Sequence, residues 1–486
     1  MQKMDPNLLS RHTASIYSLP DEILGEIFLA ACSDRKDLDI LLDHPYQKVP
    51  QTTNPFSFGA VCSEWRDAVL STPHMWTDIS LVLSAEAERK GHRESSLLSH
   101  HLTHSGSLPL TIKLRFKDEK VELQYATLPP DDIWRSGGGR SFVQLLASSA
   151  PRWHTIDMVI PPNWYFIFRD KIQSFNNLQS ARLRPPWVDN VRVQVNTVKV
   201  LDFFKDAPKL RNLRLGQYAL PDRQVQFTWS QLTRLTLQKQ RLVSCFQTLE
   251  LATQLTWVRL VSPYLHPEDY MFMEQRSREM HLRRLGYLAI EKTTWKDHSF
   301  FQFLFSVISC PALHCLELIS TKIDLEQQLP FTFSQPDTTR ITRLLLTVEL
   351  AGSHQRLLDF LREMHHLEDL ELHIEPDYHL YHTFFKRLLL ERYPAQGTTY
   401  ALPNLVKFGF SGPVVLRNSS LDSAFVKILY FRRLYYTSPP TLTKLRVFIF
   451  ETGGICSISE ERKKLLNRLV EEGLELKVIC GGSSWF

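Results

Sequence analysis

The sequence predicts an α/β (α+β) chain: a helical module at the N-terminus, then an irregular solenoid in which short strands alternate with helical or loop returns. Three observations carry that expectation. Apolar residues recur at helical spacing in two segments, 19–28 and 61–70. From Trp153 onward a strand-like spacing, apolar-x-x-apolar-x-apolar, repeats along the rest of the chain. The chain has 486 residues, 43% hydrophobic and 22% charged, which is enough for more than one core.

The first element after a polar tail (1–15) is a helix. Pro20 is tolerated in its first turn, and Asp21 and Glu22 sit beside the positive end of the helix dipole. Ile23, Leu24, Ile27 and Phe28 then form a wide apolar stripe. A second helix repeats the spacing at Val61, Cys62, Trp65, Val69 and Leu70, and Ser71-Thr72-Pro73 stops it before Trp76. So few residues bury too little surface to be comfortable alone, and the leftover apolar side chains suggest docking on a partner.

These pieces (Leu19-Pro20, Glu22-Ile23-Leu24, Ile27-Phe28, Val61-Cys62, Trp65-Arg66, and Pro73 with Trp76) resemble the F-box. That module holds a Skp-type adaptor inside Skp–cullin–F-box ubiquitin ligases. The resemblance covers residues 16–81 and implies an adaptor, and through it a cullin, as partners. It names Leu19, Pro20, Ile23, Leu24, Ile27, Phe28, Val61, Cys62 and Trp65 as adaptor anchors or their support; periodicity does not separate the two classes. Residues 33–57 make the passage between the helices longer than in a plain F-box, and their Asp/Lys-rich and Pro/Thr/Asn-containing text reads as a loop insertion.

A linker helix follows over 82–107, with Leu97, Leu98 and Leu102 on one face, and Ser105-Gly106-Ser107 breaks it. His100 and His104 stand one turn apart, a spacing that suits zinc, but no third ligand lies nearby and a solvated face is the better reading. Residues 108–116 alternate as a strand. Gly137-Gly138-Gly139 lacks the lysine and Ser/Thr of a phosphate-binding loop and reads as a flexible loop; Phe142, Leu145 and Leu146 mark a short helix.

The repeat then runs as Trp153/Ile156/Met158, Leu178/Ala181/Leu183, Leu210/Leu213/Leu215, Leu232/Leu235/Leu237, Leu255/Val258/Leu260 and Leu285/Leu288/Ile290. It continues as Leu313/Leu316/Leu318, Ile341/Leu344/Leu346, Leu367/Leu370/Leu372, Leu405/Phe408/Phe410 and Leu442/Leu445/Val447. The starts are roughly 22–38 residues apart, close to and beyond the period of about 20–29 residues of a leucine-rich repeat. Stacked repeats bury a continuous core that no single repeat can bury alone. The expectation is an irregular leucine-rich-repeat solenoid over 108–480, closed by a terminal helix and strand (457–479) with a capping box at Ser457 and Glu460 and a stop at Gly473.

If alternate strand residues point outward, they line a binding surface. Candidate substrate-binding residues are Arg214, Arg234, Trp257, Arg259, Tyr287, Glu317, Glu371 and Arg446, with Asn212, Glu291, Asp369, Lys407, Lys444 and Phe448 beside them. Their order along the chain suggests a groove that is basic, then acidic, then basic, although plain solvation of an exposed sheet is the better reading.

The rest of the sequence excludes more than it assigns. A net charge of +5 gives no signal for nucleic acid or a membrane surface, and no apolar run is long enough to span a bilayer. The seven cysteines are scattered without a Cys-x-x-Cys pair, so a reducing cytoplasm or nucleus is expected, as is the absence of metals and cofactors. No nucleophile elbow, zinc-protease or kinase signature is present, and the chain is not expected to be an enzyme. The inserted F-box, the Ser-Thr-Pro exit to Trp76, the Ser-Gly-Ser-Leu-Pro-Leu segment (105–110) and the degenerate repeats together resemble the large F-box families of mushroom-forming fungi. That resemblance implies a substrate-recognition subunit; an F-box scaffold outside ubiquitin transfer and an enzyme on an unrecognised α/β fold are the other readings.

Overall fold

Parallel strands laid down in chain order make up the repeat region of this computed structural model. It describes residues 19–33, 55–83, 92–117, 138–161, 164–184, 204–216, 228–264, 280–291, 307–319, 340–349, 355–375, 402–412, 443–452 and 460–480, and a few short stretches between them. The tail 1–15 and the insertion's interior, 34–54, lie outside the described residues, as does Ser457. The chain divides into two units, residues 1–210 with 225–227 and residues 211–224 with 228–486.

The first unit opens with three helices, α1 (Asp21–Ser33), α2 (Pro55–Gly59) and α3 (Ser63–Leu70), and a 3-10 turn, Pro73–Trp76. Four parallel strands follow: β1 (Asp78–Leu83), β2 (Leu110–Phe116), β3 (Trp153–Val159) and β4 (Ser180–Arg184). Parallel neighbours need crossovers. Here they contain α4 (His92–His104), α5 (Gly138–Ser148) and α6 (Trp164–Lys171). The interior rows are Ile79–Ile112–Ile156–Ala181 and Leu81–Leu114–Met158–Leu183. All eight side chains are buried. Gly138 and Gly139 open α5 and are not loop residues. The strand β1 starts two residues after Trp76, within the stretch that carries the F-box resemblance.

The second unit continues the pattern with β5 (Asn212–Leu215), β6 (Arg234–Gln238), α7 (Leu242–Leu251) and β7 (Trp257–Val261). Next come β8 (Met280–His281), β9 (Tyr287–Glu291), β10 (Ile308–Ser309), β11 (Cys315–Ile319), β12 (Arg343–Glu349), α8 (Gln355–Glu363) and β13 (Asp369–Glu375). The chain ends with β14 (Arg392–Tyr393), β15 (Thr399–Tyr400), β16 (Lys407–Gly412), β17 (Val447–Thr452), α9 (Glu460–Glu471), β18 (Glu475–Cys480) and β19 (Ser483–Ser484). The sheet order is β5-β6-β7-β9-β11-β12-β13-β16-β17-β18-β19, parallel except for the final pair, while β8 with β10 and β14 with β15 form separate two-stranded pairs.

One backbone device ties the repeats together. In each, a carbonyl just before the strand accepts two successive N–H groups from the next repeat: Arg211 from Thr233 and Arg234, Thr233 from Thr256 and Trp257, Thr256 from Gly286 and Tyr287. The series continues through Gly286, His314, Thr342, Glu368 and Val406. This gives the carbonyl at each strand entrance two partners in the next repeat and links neighbouring repeats through the backbone. Together with the interior rows of Leu, Ile, Val and Phe, it makes the fold leucine-rich-repeat-like, a solenoid-type α/β architecture.

The series also corrects one register. Val406 accepts from Arg446 and Val447, so Arg446 stands at the strand entrance and the last parallel repeat before the terminal helix is Leu445/Phe448/Phe450. The Leu442/Leu445/Val447 frame is three residues early. Phe448 and Phe450 fill the interior rows and stack beside Phe408 and Phe410 at ring separations of 5.8 and 5.5 Å. At the end of the chain, Gly473 takes a positive φ of 87°. Leu474 N–H donates to the Leu469 carbonyl, a glycine stop for α9. Among the described residues no helix is long and apolar enough to cross a membrane.

Candidate functional site

Two surfaces stand out, one in each unit. The first is the helical module. At its start the Pro20 carbonyl accepts from the N–H groups of Ile23 and Leu24 at 3.0 and 3.1 Å, which begins α1 immediately after the proline. The inner side of α1 puts Leu24 (3% exposed) and Phe28 (1%) into a cluster with Ala68, Val69, Met75 and Trp76. The Phe28 ring stacks on Phe58 at 4.6 Å and tilts against Trp65 at 4.8 Å. Trp76 donates its indole N–H to the Val69 carbonyl at 2.9 Å, satisfying the one polar group of a fully buried ring. Gly25 lies against Thr72 so closely that a Cβ would sit 2.6 Å from Oγ1, and that contact fixes α1 on the 3-10 turn.

The outer side is apolar and open. Ile23 is 47% exposed, Ile27 44%, Val61 58% and Phe56 37%. Pro20 is also exposed, while Leu19, Cys62 and Trp65 are half-buried. The nine predicted anchors therefore divide. Leu24 and Phe28 are internal core, Trp65 supports Phe28, and Pro20, Ile23, Ile27 and Val61 face outward. Phe56 is partly exposed but stacks its ring on His100 at 5.3 Å and meets Trp76 edge-on at 5.2 Å; it had no sequence signal, because it sits at the end of the insertion.

The histidines of α4 differ from the solvated face that their spacing suggested. His100, His101 and His104 hold their rings 4.9, 5.2 and 5.1 Å from that of Trp76. His101 is buried with Nδ1 3.2 Å from the Trp76 carbonyl. Burial pushes its pKa below the ordinary imidazole value, with the charges of His100 and His104 adding to the effect and the Trp76 carbonyl and Asp78 opposing it. The imidazoles act here as packing surface for tryptophan. Among the described residues no group of His, Cys, Asp or Glu is arranged to hold a metal ion.

The second surface is the outer face of the sheet in the second unit. One row runs Asn212, Arg234, Trp257, Tyr287, Cys315, Arg343, Asp369, Lys407 on successive main-sheet strands; the next runs Arg214, Thr236, Arg259, Ala289, Glu317, Leu345, Glu371, Gly409. Seven of the eight predicted substrate contacts lie in these rows. Arg446 does not, for the register reason given above, and Phe448 is buried in the opposite face.

From Arg259 onward the face is a mesh of opposite charges where the sequence suggested separate acidic and basic segments, while β5 and β6 carry arginines and no acidic outer residue. Arg259 pairs with buried Glu291 at 2.6 Å. The Tyr287 hydroxyl donates to Glu317 at 2.6 Å, and Arg343 reaches Glu317 and Asp369 at 3.8 and 3.6 Å. Lys407 closes the run on Asp369 and Glu371. Burial opposes the charge on Lys407, but the hydrogen bond it donates to Glu371 and the charges of both carboxylates outweigh it and raise its pKa. Burial, then Glu317, pushes the Cys315 thiol up to about 11, which keeps it protonated and unreactive. Arg343 escaped the sequence reading, although it occupies the row position of Arg234 and Trp257. The face of β5–β7 differs: Trp257 and Tyr287 stack at 4.9 Å with planes 7° apart, and Arg234 stands exposed beside Trp257.

No family model matches the sequence, and no curated protein does. Among solved structures, a Bacteroides fragilis protein is 12% identical with a TM-score of 0.30, covering 64% of this chain and 68% of its own. An internalin from Listeria monocytogenes is 11% identical with a TM-score of 0.28, covering 66% of this chain and 83% of its own.

Proposed function

We propose that the chain is a non-catalytic substrate-recognition subunit of a Skp–cullin–F-box ubiquitin ligase, of the kind expanded in mushroom-forming fungi and acting in the cytoplasm or nucleus. The helical module docks on a Skp-type adaptor, and the repeat sheet holds a protein substrate. Its contribution to ubiquitin transfer is proximity, which raises the effective concentration of acceptor lysines near the ubiquitin donor.

The observation that carries this reading is the division of α1. One side completes a core with α3 and Trp76, and the other leaves Ile23 and Ile27 about half exposed, with Val61 exposed in the same small module. Both isoleucines are already about half buried, so covering them adds about 1.5–3 kcal/mol together, a share of the binding energy that the exposed Pro20 and Val61 would extend.

The test is capture of purified Skp-type adaptor and cullin by the full chain and by an Ile23→Asp/Ile27→Asp variant. Retention by the wild type and loss by the folded variant support the reading. Adaptor captured without cullin supports a scaffold outside ubiquitin transfer, and no capture by the wild type removes the F-box assignment.

A further inference from the structure

We propose that the outer face of β5–β7 receives an acidic segment of the partner protein, with Arg234 taking its carboxylates and Trp257 an apolar side chain next to them. This deepens the substrate-receptor reading and rests on it. The argument begins with what the face has already used. From Arg259 to Lys407 each cation is paired with Glu291, Glu317, Asp369 or Glu371 at 3.8 Å or less. Binding there would have to break pairs that are already made.

The outer positions of β5–β7 carry no acidic residue: they are Asn212, Arg214, Arg234, Thr236, Gln238, Trp257, Arg259 and Val261. Arg259 is taken by Glu291. Arg234 is exposed and forms no ion pair among the described residues. Beside it, the Trp257 ring stacks on Tyr287, whose hydroxyl is anchored on Glu317. A preorganised aromatic wall next to a guanidinium loses little entropy on binding. It matches a side chain that is apolar beside one that is anionic.

The same geometry argues against nucleic acid. A polyphosphate laid across the rows would reach Glu291, Glu317, Asp369 and Glu371 within the next few strands, and each repels it. A short acidic segment ends before them.

The experiment uses the full chain and a short fluorescein-labelled peptide in which glutamates flank one tryptophan. Matched peptides replace the glutamates with glutamine or the tryptophan with alanine, and a labelled oligouridine serves as the nucleic-acid probe. Anisotropy is read at low and high salt. The glutamate peptide is expected to bind, with affinity falling as salt rises. Both substituted peptides, and the Arg234→Glu and Trp257→Ala chains, are expected to bind about tenfold more weakly or worse. Arg234→Glu changes an exposed side chain and keeps the test decisive if Trp257→Ala unfolds. Equal binding of the glutamate and glutamine peptides, unaltered binding by Arg234→Glu, or tighter binding of oligouridine overturns the proposal. Adaptor capture separates the two readings: a wild-type chain that captures the adaptor but does not bind the glutamate peptide overturns this site alone, and absence of adaptor capture from every chain overturns the receptor reading.

Discussion

Ile23 and Leu24 are neighbours in sequence and face opposite ways on α1, the first 47% exposed and the second 3%. Their truncations should therefore have opposite consequences. Leu24→Ala opens a cavity beside Phe28 and Trp76 and should destabilise the module by about 2–4 kcal/mol. Ile23→Ala removes a side chain half in water and should change stability by about 0.5 kcal/mol or less, while weakening adaptor capture. Urea unfolding and adaptor pull-down on the same two proteins check both halves. Equal destabilisation by both would mean that Ile23 is core.

The contact between Gly25 and Thr72 makes a sharper prediction. A methyl group at position 25 meets Thr72 Oγ1 at 2.6 Å and Cγ2 at 3.4 Å, and Thr72 is itself held by a 2.7 Å hydrogen bond to the Ala68 carbonyl. In an exposed helix Gly→Ala is stabilising, but here overpacking should reverse the sign and destabilise by about 1–3 kcal/mol. Thr72→Ala in the same chain removes both opposing atoms and should restore part of the loss. Thermal melts of the two single variants and the double variant measure the coupling.

Local spacing made α1, α3, α4, α5 and α9 and most repeat strands legible, while α2, α6 and α7 went unread; what it hid was every relation set by distant residues. The stripe Ile23, Leu24, Ile27 and Phe28 is too wide to show which half is buried, because Phe58, Trp65 and Trp76 decide it from 30 or more residues away. Leu442 and Leu445 fit the repeat spacing as well as Leu445 and Phe448 do, and only pairing with β16 selects the second frame. The strand β1 has just three inward residues directly after a turn, too short a run to announce itself. Charges on the outer face looked segmented along the chain because Arg259 and Glu291, or Lys407 and Asp369, become neighbours only through strand register.

Lys407 holds Asp369 at 3.3 Å and also contacts Glu371, and its own side chain is 27% exposed. Lys407→Met leaves two carboxylates on adjacent rows of β13 with less compensation. Because the groups are partly in water, the expected loss is on the order of 1–2 kcal/mol, below that of a fully buried pair. Lys407→Met/Glu371→Leu removes the repulsion as well and should recover part of it. Hydrogen exchange of the β13 and β16 amides reports the change locally. An unchanged exchange pattern in Lys407→Met would mean that the mesh is solvation only.

Acid should loosen the packing of α4 on Trp76. His101 is held below its ordinary value of 6.5, first by burial, and His100 is lowered in the same direction by burial and by His104. Between the depressed folded value and 6.5 the unfolded chain binds a proton that the folded chain does not. Stability is therefore complete above 6.5 and falls as the pH drops toward the folded value. Asp78 and the Trp76 carbonyl face His101 and limit the fall without reversing it. His100→Gln/His101→Gln removes both titrations, so thermal unfolding between pH 7 and pH 5 should decline less steeply in the variant than in the wild type. Carboxylates elsewhere contribute equally to both curves and cancel in the difference. Parallel curves would show that protonation of the histidines around Trp76 does not act on folding.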